Sequence, residues 1–426
     1  MTEPLRILHV FGRTGRGGAE SRMMDILRAI DRDRVQFDFL VHTDASAGGK
    51  RVPSSDELMA VRGEDDYDEE IRALGGRIYA LPRPQLKPGR TGFIAYRSAC
   101  EQFFREYAGT WRMVQGHMTS TASIYLAQAG RAGVPVTIAH ARSAGTDPGW
   151  KGMVTRAMRL PLSREDRMIR RADKTMKPLT DFRFACSKEA ARAVFGHAPT
   201  VILPNAIPLD RYRFQPEVRR KLRKELGLDD SRVVGHVGSF RYAKNHEFLL
   251  RTFALMTRMM PDSDLRLLLV GKGGLLTQMQ ELAGSLGIRE RVVFAGDCPN
   301  VQDYYQAMDV FAFPSRYEGL PGSVIEAQAA GLCCLISDAV TPAVDATPFV
   351  SREQIGDQDA RIREAEKKWA QELTGRLADG GEDIREARSA EACGKLELAG
   401  FDALAQAAML MRFYETGGGL PEAVRL

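Results

Sequence analysis

An α/β architecture of two doubly wound parallel-sheet domains is what this chain predicts, and three observations carry the expectation. Short apolar runs without period-two alternation recur between segments with the 3.6-residue period of helices, the pattern of strands covered on both faces. That alternation is written twice, over residues 1–200 and again over 201–400, with no short-period repeat in either half. Finally, 426 residues exceed what one core ordinarily organises, so two domains are the natural division.

Taken in order, residues 5–11 read as a first strand and 12–18 as a glycine-rich turn. Residues 19–30 read as a helix whose apolar face is Met23, Ile26, Leu27 and Ile30. A strand at 35–41 follows, and the polar stretch 43–67 reads as a long loop. Further strands are expected at 77–81, 113–116, 136–140, 183–186 and 200–203, with helical patterns between them. The stretch from Pro199 to Pro208, containing Leu203-Pro204-Asn205-Ala206, reads as a hinge between domains. Beyond it, strands are expected at 233–238, 265–270, 292–294, 310–314 and 333–336, and helices at 247–259, 279–286, 301–307 and 323–330. A last amphipathic helix at 403–414 belongs to a terminal segment, 401–426, expected to pack back on the N-terminal domain.

Composition narrows the function classes. No apolar run approaches the roughly 18 residues that cross a bilayer, and the first residues lack the order of a secretory signal, so a cytoplasmic protein is expected. Six cysteines form no C-x-x-C and sit beside no His at zinc spacing, so free thiols are expected. The net charge of +5 is divided unevenly, with 32 Lys/Arg against 23 Asp/Glu to residue 200 (+9) and 28 against 32 beyond it (−4). The basic half lacks the interleaved aromatics of a nucleic-acid surface, and no nucleic-acid partner is expected. Residues 151–177 hold nine Lys/Arg and three acids interleaved with Met, Leu and Ile. They read equally as a solvated helix or as a peripheral contact with an anionic membrane.

Four constellations carry candidate chemistry, and each has a bland reading beside it. In the first loop, Gly17 and Gly18 let the backbone approach a phosphate at a helix start, or simply make a tight turn. The loop is not G-x-G-x-x-G, since Glu20 stands where the third glycine would, and it is not a Walker loop. In residues 238–246, Arg241 and Lys244 precede a helix, where they would neutralise a leaving diphosphate or form a solvated basic turn. In residues 315–327, Glu318, Gly319, Leu320 and Glu326 follow the strand at 310–314, at the edge where open α/β sheets bind ligands. Carboxylates there suit paired hydroxyls, but Ser323-Val324-Ile325-Glu326 is also a capping box. The fourth is His117, with His140 and Arg142 as a second candidate; a lone His is more often structural than catalytic, but the place after a strand favours a functional role. Three D-x-D pairs, at 31/33, 262/264 and 357/359, sit in turn or helix-end contexts, and no metal site is expected from them.

Together these residues resemble the retaining glycosyltransferases of family 4 (group 1), which have the GT-B fold of two Rossmann-like domains facing each other across a cleft. The resemblance runs through "RILHVFGRTGRGGAE", "IAHARS", "FACSKEA", "LPNAI", "GHVGSFRYAKNHEFLL", "LLLVGKGGL", "AMDVFAFPSRYEGLPGSVIEAQAAGLCCLIS" and "AAMLMRFYE". It is most specific from Asp309 to Ser337, whose wording is similar to members that build bacterial exopolysaccharide or capsule. The resemblance implies transfer from a nucleoside diphosphate sugar, with a uridine bias, to a glycan or lipid-diphosphate-linked acceptor, without cofactor or metal. It implies that Glu318 contacts the sugar hydroxyls and that Gly319 and Leu320 offer backbone N–H groups. Glu326 would hold the ribose and Lys244 the diphosphate. Gly17 and Gly18 would approach the diphosphate from the other domain, His117 would stand near the sugar's reactive face, and Asn300 and Val301 would meet the base.

The chain departs from the family at Ser239, where an arginine is usual, and at Gln115, often His. Arg241, two residues on and so on the same side of an extended segment, is the candidate substitute. Two other classes stay open at this level: a nucleotide-sugar epimerase of the same fold, and a weakly active sugar-binding scaffold. A hydride-transfer dehydrogenase is disfavoured because the dinucleotide fingerprint fails.

Overall fold

The computed structural model describes residues 3–44, 53–83, 91–118, 121–142, 180–377 and 381–424, with side chains of the helix that begins at Thr91 described from residue 94. The chain divides into two compact units, Met1–Ala206 together with Ala403–Leu426, and Ile207–Asp402. The basic stretch 151–177 lies outside the described residues.

The first unit is built on a seven-stranded sheet of order β3-β2-β1-β4-β5-β6-β7. Its strands are β1 (Leu5–Val10), β2 (Val35–Thr43), β3 (Ile78–Pro82), β4 (Met113–Gly116), β5 (Val136–Ala141), β6 (Phe182–Ala185) and β7 (Val201–Ile202), all paired in parallel. Every residue of β2 is buried, as a strand covered on both faces requires. Helix α1 (Gly18–Ala29) lays Met23, Met24, Ile26 and Leu27 on the sheet. Strand order reverses between β1 and β4, so the ends of those two strands flank the crevice where such sheets take ligands.

The stretch 43–67, read above as one long loop, contains helix α2 (Ser55–Arg62). The reason is local. The Ser54 Oγ accepts from the Glu57 N–H at 3.3 Å and the Glu57 carboxylate accepts from the Ser54 N–H at 2.8 Å, which satisfies two otherwise orphaned donors. Leu58, fully buried against Val41 and Ala80, then anchors the helix to the sheet. Helix α3 (Asp68–Ala73) follows, and α4 (Thr91–Glu106), α5 (Ala122–Arg131) and α6 (Lys188–Phe195) complete the connections described in this unit.

The second unit carries a six-stranded parallel sheet of order β10-β9-β8-β11-β12-β13. Helices α7 (Leu209–Tyr212) and α8 (Pro216–Leu226) lead into β8 (Arg232–Val237), α9 (His246–Met259), β9 (Leu265–Val270), α10 (Leu276–Ser285) and β10 (Val292–Gly296). Helix α11 (Val301–Ala307), β11 (Val310–Phe313), α12 (Gly322–Ala329), β12 (Cys333–Ser337) and β13 (Val350–Glu353) follow. The order reverses between β8 and β11. Strand β13 has no counterpart in the expectations above. All four of its residues are only half-buried, so it shows neither an apolar run nor clean alternation. Helix α13 (Asp359–Arg376) seats Trp369 in the core edge-on to Phe248, and the indole N–H donates to the Gln354 carbonyl at 2.9 Å. Helix α14 (Glu382–Leu398) buries Arg385, which donates to the carbonyls of Tyr305 and Ala330.

Helix α15 (Ala403–Thr416) belongs to the first unit. Its Phe413 meets Phe182 and Phe184, and Tyr414 packs edge-on to Phe37. Thr200 pairs with Val424 beyond it. All six cysteines are free thiols. Among the described residues no helix is long and apolar enough to cross a membrane, and no group of three or more His, Cys, Asp or Glu is arranged to hold a metal. The D-x-D carboxylates make local contacts: Asp31 accepts from the Asp33 N–H, Asp264 pairs with Arg266 and Asp357 with Arg361.

Candidate active site

In the second unit, the loop leaving β8 is shaped by glycines on its neighbour. A Cβ at Gly271 would overlap the Gly238 carbonyl, and one at Gly273 the backbone of Phe240. Both glycines have positive φ, which lets the β9 loop lie directly against 238–240. Phe240 is buried and stacks on His246 with centroids 4.1 Å apart. Ser239 is half-buried, whereas Arg241 is exposed, without a side-chain partner among the described residues. Tyr242–Lys244 form a 3-10 turn that ends at Asn245, held at φ 56°. Asn tolerates that left-handed conformation better than most residues.

The loop after β11 is latched onto this turn. Arg316 donates its N–H to the Ala243 carbonyl at 2.8 Å, and its guanidinium to Asn245 Oδ1 at 2.7 Å. Two residues further, Glu318 Oε1 meets Lys244 Nζ at 2.7 Å, with each side chain about one-sixth exposed (17% and 16%). The Lys244 ammonium also stands 4.6 Å from the Phe313 ring centroid. Two constellations that look separate in the sequence are therefore one site. The imidazoles beside it are neutral: burial pushes His236 down to about 4 and His246 to about 2, and the Lys244 charge acts in the same direction. Lys244 is thus paired with a carboxylate and backed by uncharged rings.

Glu326 is not a capping-box residue. Helix α12 starts one residue early, at Gly322, with Pro321 as its cap and no side-chain cap bond, so Ser323 is already inside the helix. The Glu326 carboxylate is 5% exposed and accepts from Tyr305 Oη at 2.6 Å. Gly319 is half-buried and Leu320 buried. Asn300 stands at the N-cap position of α11 without a side-chain cap bond, its amide donating to the Asp303 carboxylate at 2.6 Å, and Val301 is the first residue of the helix.

The first unit gathers a different set at the ends of β1, β4 and β5. His117 is buried and stacks face to face on Phe11, with centroids 4.2 Å apart and rings 9° from parallel. Arg142 Nε lies 3.1 Å from His117 Nδ1, and His9 Nδ1 lies 3.1 Å from His117 Nε2. A guanidinium can only donate, so His117 Nδ1 accepts. Burial drives the His117 pKa well down, and the ring is neutral with its proton on Nε2, donated to His9. Gln115 Nε2 bonds His140 Nδ1 at 2.9 Å, and Gln115 Oε1 accepts from Tyr414 Oη at 2.9 Å. Arg142 is fixed in turn by Asn205 Oδ1 at 2.9 Å. His117, His140 and Arg142, alternative candidates in the sequence, form one network.

Gly17 is the N-cap of α1 and Gly18 its first residue. A Cβ at Gly17 would overlap the Glu20 carboxylate, whereas Gly18 has open space where a side chain would stand. The loop before them is already engaged. The Thr14 N–H donates to Asp65 at 3.1 Å and the Arg16 N–H to Asp66 at 2.9 Å, with Arg62 clamping Asp65 at 2.7 Å. At the start of α1 the Gly17 N–H donates to the Gly15 carbonyl at 2.8 Å, and the Glu20 carboxylate lies beside Gly17.

Sequence reasoning passed over Tyr305, Arg316, His9 and Asn205 as site residues. Arg316 and Asn205 lay inside motifs already singled out; Tyr305 and His9 carried no local signal.

Solved structures with this fold include HepE of Anabaena, in complex with UDP and glucose, with a TM-score of 0.68 at 17% identity, covering 97% of this chain and all of that one. Another is WaaG, a glycosyltransferase involved in lipopolysaccharide biosynthesis, with a TM-score of 0.63 at 17% identity and coverage of 97% and 100%. The fold is that of the GT-B glycosyltransferases. The profile of the family described as "Glycosyl transferases group 1" matches residues 218–352, which include Lys244, Glu318 and Glu326. EpsF of Bacillus subtilis (strain 168), named as a candidate glycosyltransferase, is 32% identical over 350 residues, 80% of this chain and 81% of its own. A mannosyltransferase of Mycolicibacterium smegmatis, named as GDP-mannose-dependent and acting on phosphatidylinositol monomannoside, is 27% identical over 64% of this chain and 68% of its own. The chain belongs to the group 1 glycosyltransferases.

Proposed function

We propose that this enzyme transfers a sugar, with retention of anomeric configuration, from a nucleoside diphosphate sugar to a glycan or lipid-diphosphate-linked acceptor during the building of a cell-surface polysaccharide. The observation that carries the reading is the Lys244–Glu318 pair at 2.7 Å, which joins the loops after β8 and β11 at the carboxyl edge of the second sheet. Negative charge grows on the departing diphosphate, and fixed cations stabilise it. Lys244 supplies one, and Arg241 takes the place of the family arginine missing at Ser239. Glu318 accepts the sugar hydroxyls, while the backbone N–H groups of Gly319 and Leu320 serve the sugar and phosphate. Glu326 holds the ribose, and Asn300 with Val301 meets the base. From the first unit, Gly17 and Gly18 offer the start of α1 to the diphosphate, and His117 serves as a neutral donor near the reacting sugar. The scheme calls on no divalent metal.

The donor is proposed to be a UDP-sugar. The uridine bias of the resemblance and the UDP bound to HepE support this, and the GDP-mannose of the mycobacterial relative makes a guanosine donor the competitor. The protein is proposed to act in the cytoplasm and to meet the membrane's inner face through residues 151–177. A panel of UDP-, GDP- and ADP-sugars, read by thermal shift and then by nucleoside diphosphate release, tests the donor. Stabilisation by UDP-sugars alone is expected, and a shift with GDP-sugars alone overturns the uridine reading. Proton NMR of the first-formed product tests retention.

A further inference from the structure

We propose that Tyr305 is the positioning residue for ribose recognition: its phenol holds the Glu326 carboxylate in the orientation that accepts a vicinal diol. The inference rests on the reading of Glu326 as the ribose acceptor and deepens it.

A glutamate side chain loses considerable rotamer freedom when it is held in one pose, and a carboxylate that must accept two neighbouring hydroxyls tolerates little rotation. Glu326 stands in the first turns of α12, just beyond the carboxyl end of β11, and its Oε2 accepts from Tyr305 Oη at 2.6 Å. The tyrosine is itself immobilised. Its side chain is fully buried, with the Tyr212 ring 6.0 Å and the Phe311 ring 5.8 Å from its own, and its carbonyl accepts from Arg385 Nη2 at 2.6 Å. A carboxylate offers about four acceptor positions, so the phenol's bond to Oε2 does not by itself exhaust them. The bond is charge-assisted and therefore among the stronger kinds. The same short helix carries Asn300 and Val301 at its start. In this arrangement α11 sets both the base contact and the pose of the ribose carboxylate.

The test is Tyr305→Phe, which keeps the ring and removes the donor. The readout is the ratio of affinities for UDP and 2′-deoxy-UDP, or for GDP and 2′-deoxy-GDP if the guanosine donor proves correct, measured by calorimetry on one preparation. Because both affinities come from the same sample, partial unfolding cancels from the ratio. The wild type should prefer the ribonucleotide by roughly tenfold or more, and Tyr305→Phe should bring the ratio close to one. KM for the sugar donor should rise roughly tenfold with kcat changed about twofold or less, the pattern of a lost ground-state contact. Glu326→Gln separates the two readings. If it collapses the ratio and Tyr305→Phe does not, the tyrosine proposal is overturned and the ribose reading stands. If Glu326→Gln leaves the ratio intact, both fall.

Discussion

The two sheets have the same doubly wound logic, yet they furnish their carboxyl edges in opposite ways. The first collects neutral rings. His9, His117 and His140 are buried with depressed pKa values around one cation, Arg142, whose own pKa is lowered to about 10 by burial. The second places charge: Lys244 against Glu318, Glu326 against a phenol, and an exposed Arg241. A departing diphosphate needs cations that are already in place, whereas a sugar ring needs donors and acceptors that do not fight its neutrality. Topology supplies the same ledge in each unit, and on the proposed reading the residues on each ledge serve different parts of the donor.

The largest expected effect of this contrast is on acid stability. Among the described residues the first unit holds four depressed histidines, His9 at about 3, His42 at about 4, and His117 and His140 well below normal. The second holds two, His236 at about 4 and His246 at about 2. Unfolding frees these rings to titrate near 6.5, so below that pH the unfolded chain binds more protons than the native one. Stability is full above about 6.5 and falls as pH drops toward 4, by up to ~1.4 kcal/mol per pH unit for each histidine. The first unit should fail at the higher pH. Fluorescence titration of two variants, one keeping only Trp111 and one keeping only Trp369, with the other tryptophans changed to Phe, checks the order. Coincident transitions would remove the contrast.

Next in size is Lys244→Ala, expected to cost roughly 10²–10³ in kcat/KM, as removal of a charge-stabilising donor does. Activity within tenfold of wild type would move the diphosphate away from the charged edge. Arg142→Met should cost about tenfold, because His117 loses the donor that sets its tautomer. Nitrogen-15 shifts of the His117 ring should report Nδ1 as the unprotonated nitrogen in the wild type and a mixture of tautomers in the variant. The smallest effect is expected from Arg241→Ala, a loss of about three- to tenfold in kcat/KM, since the side chain is exposed and screened. If Lys244→Ala abolishes activity while Arg241→Ala changes nothing, Arg241 does not replace the arginine absent at position 239.

Much of this is legible in the sequence, and what is not has physical causes. Buried parallel strands such as β9 (LRLLLV) announce themselves because both faces are covered. The helix α2 was missed because its signal is a two-residue cap, Ser54 with Glu57, and a single buried Leu58 in polar surroundings. At Glu326 the same kind of signal misled. The spacing from Ser323 fits a capping box, but the helix begins one residue early and a tyrosine from α11 takes the carboxylate. The proximity of Lys244 to Glu318 spans 74 positions (244 to 318) and rests on the latch made by Arg316 and Asn245. No periodicity encodes such a meeting. His9 likewise looked like an ordinary strand residue until its ring was found against His117.

The placement of α15 has a consequence for how this chain is made. The first unit needs Phe413 and Tyr414 to cover Phe37, Phe182 and Phe184, and Tyr414 closes the hydrogen-bonded line through Gln115 to His140. On the ribosome, the half that emerges first therefore waits, with an apolar face bare, until the whole second half has been threaded out. A fragment stopping at Ala206 should be prone to clumping, and supplying residues 403–426 as a separate peptide should rescue it.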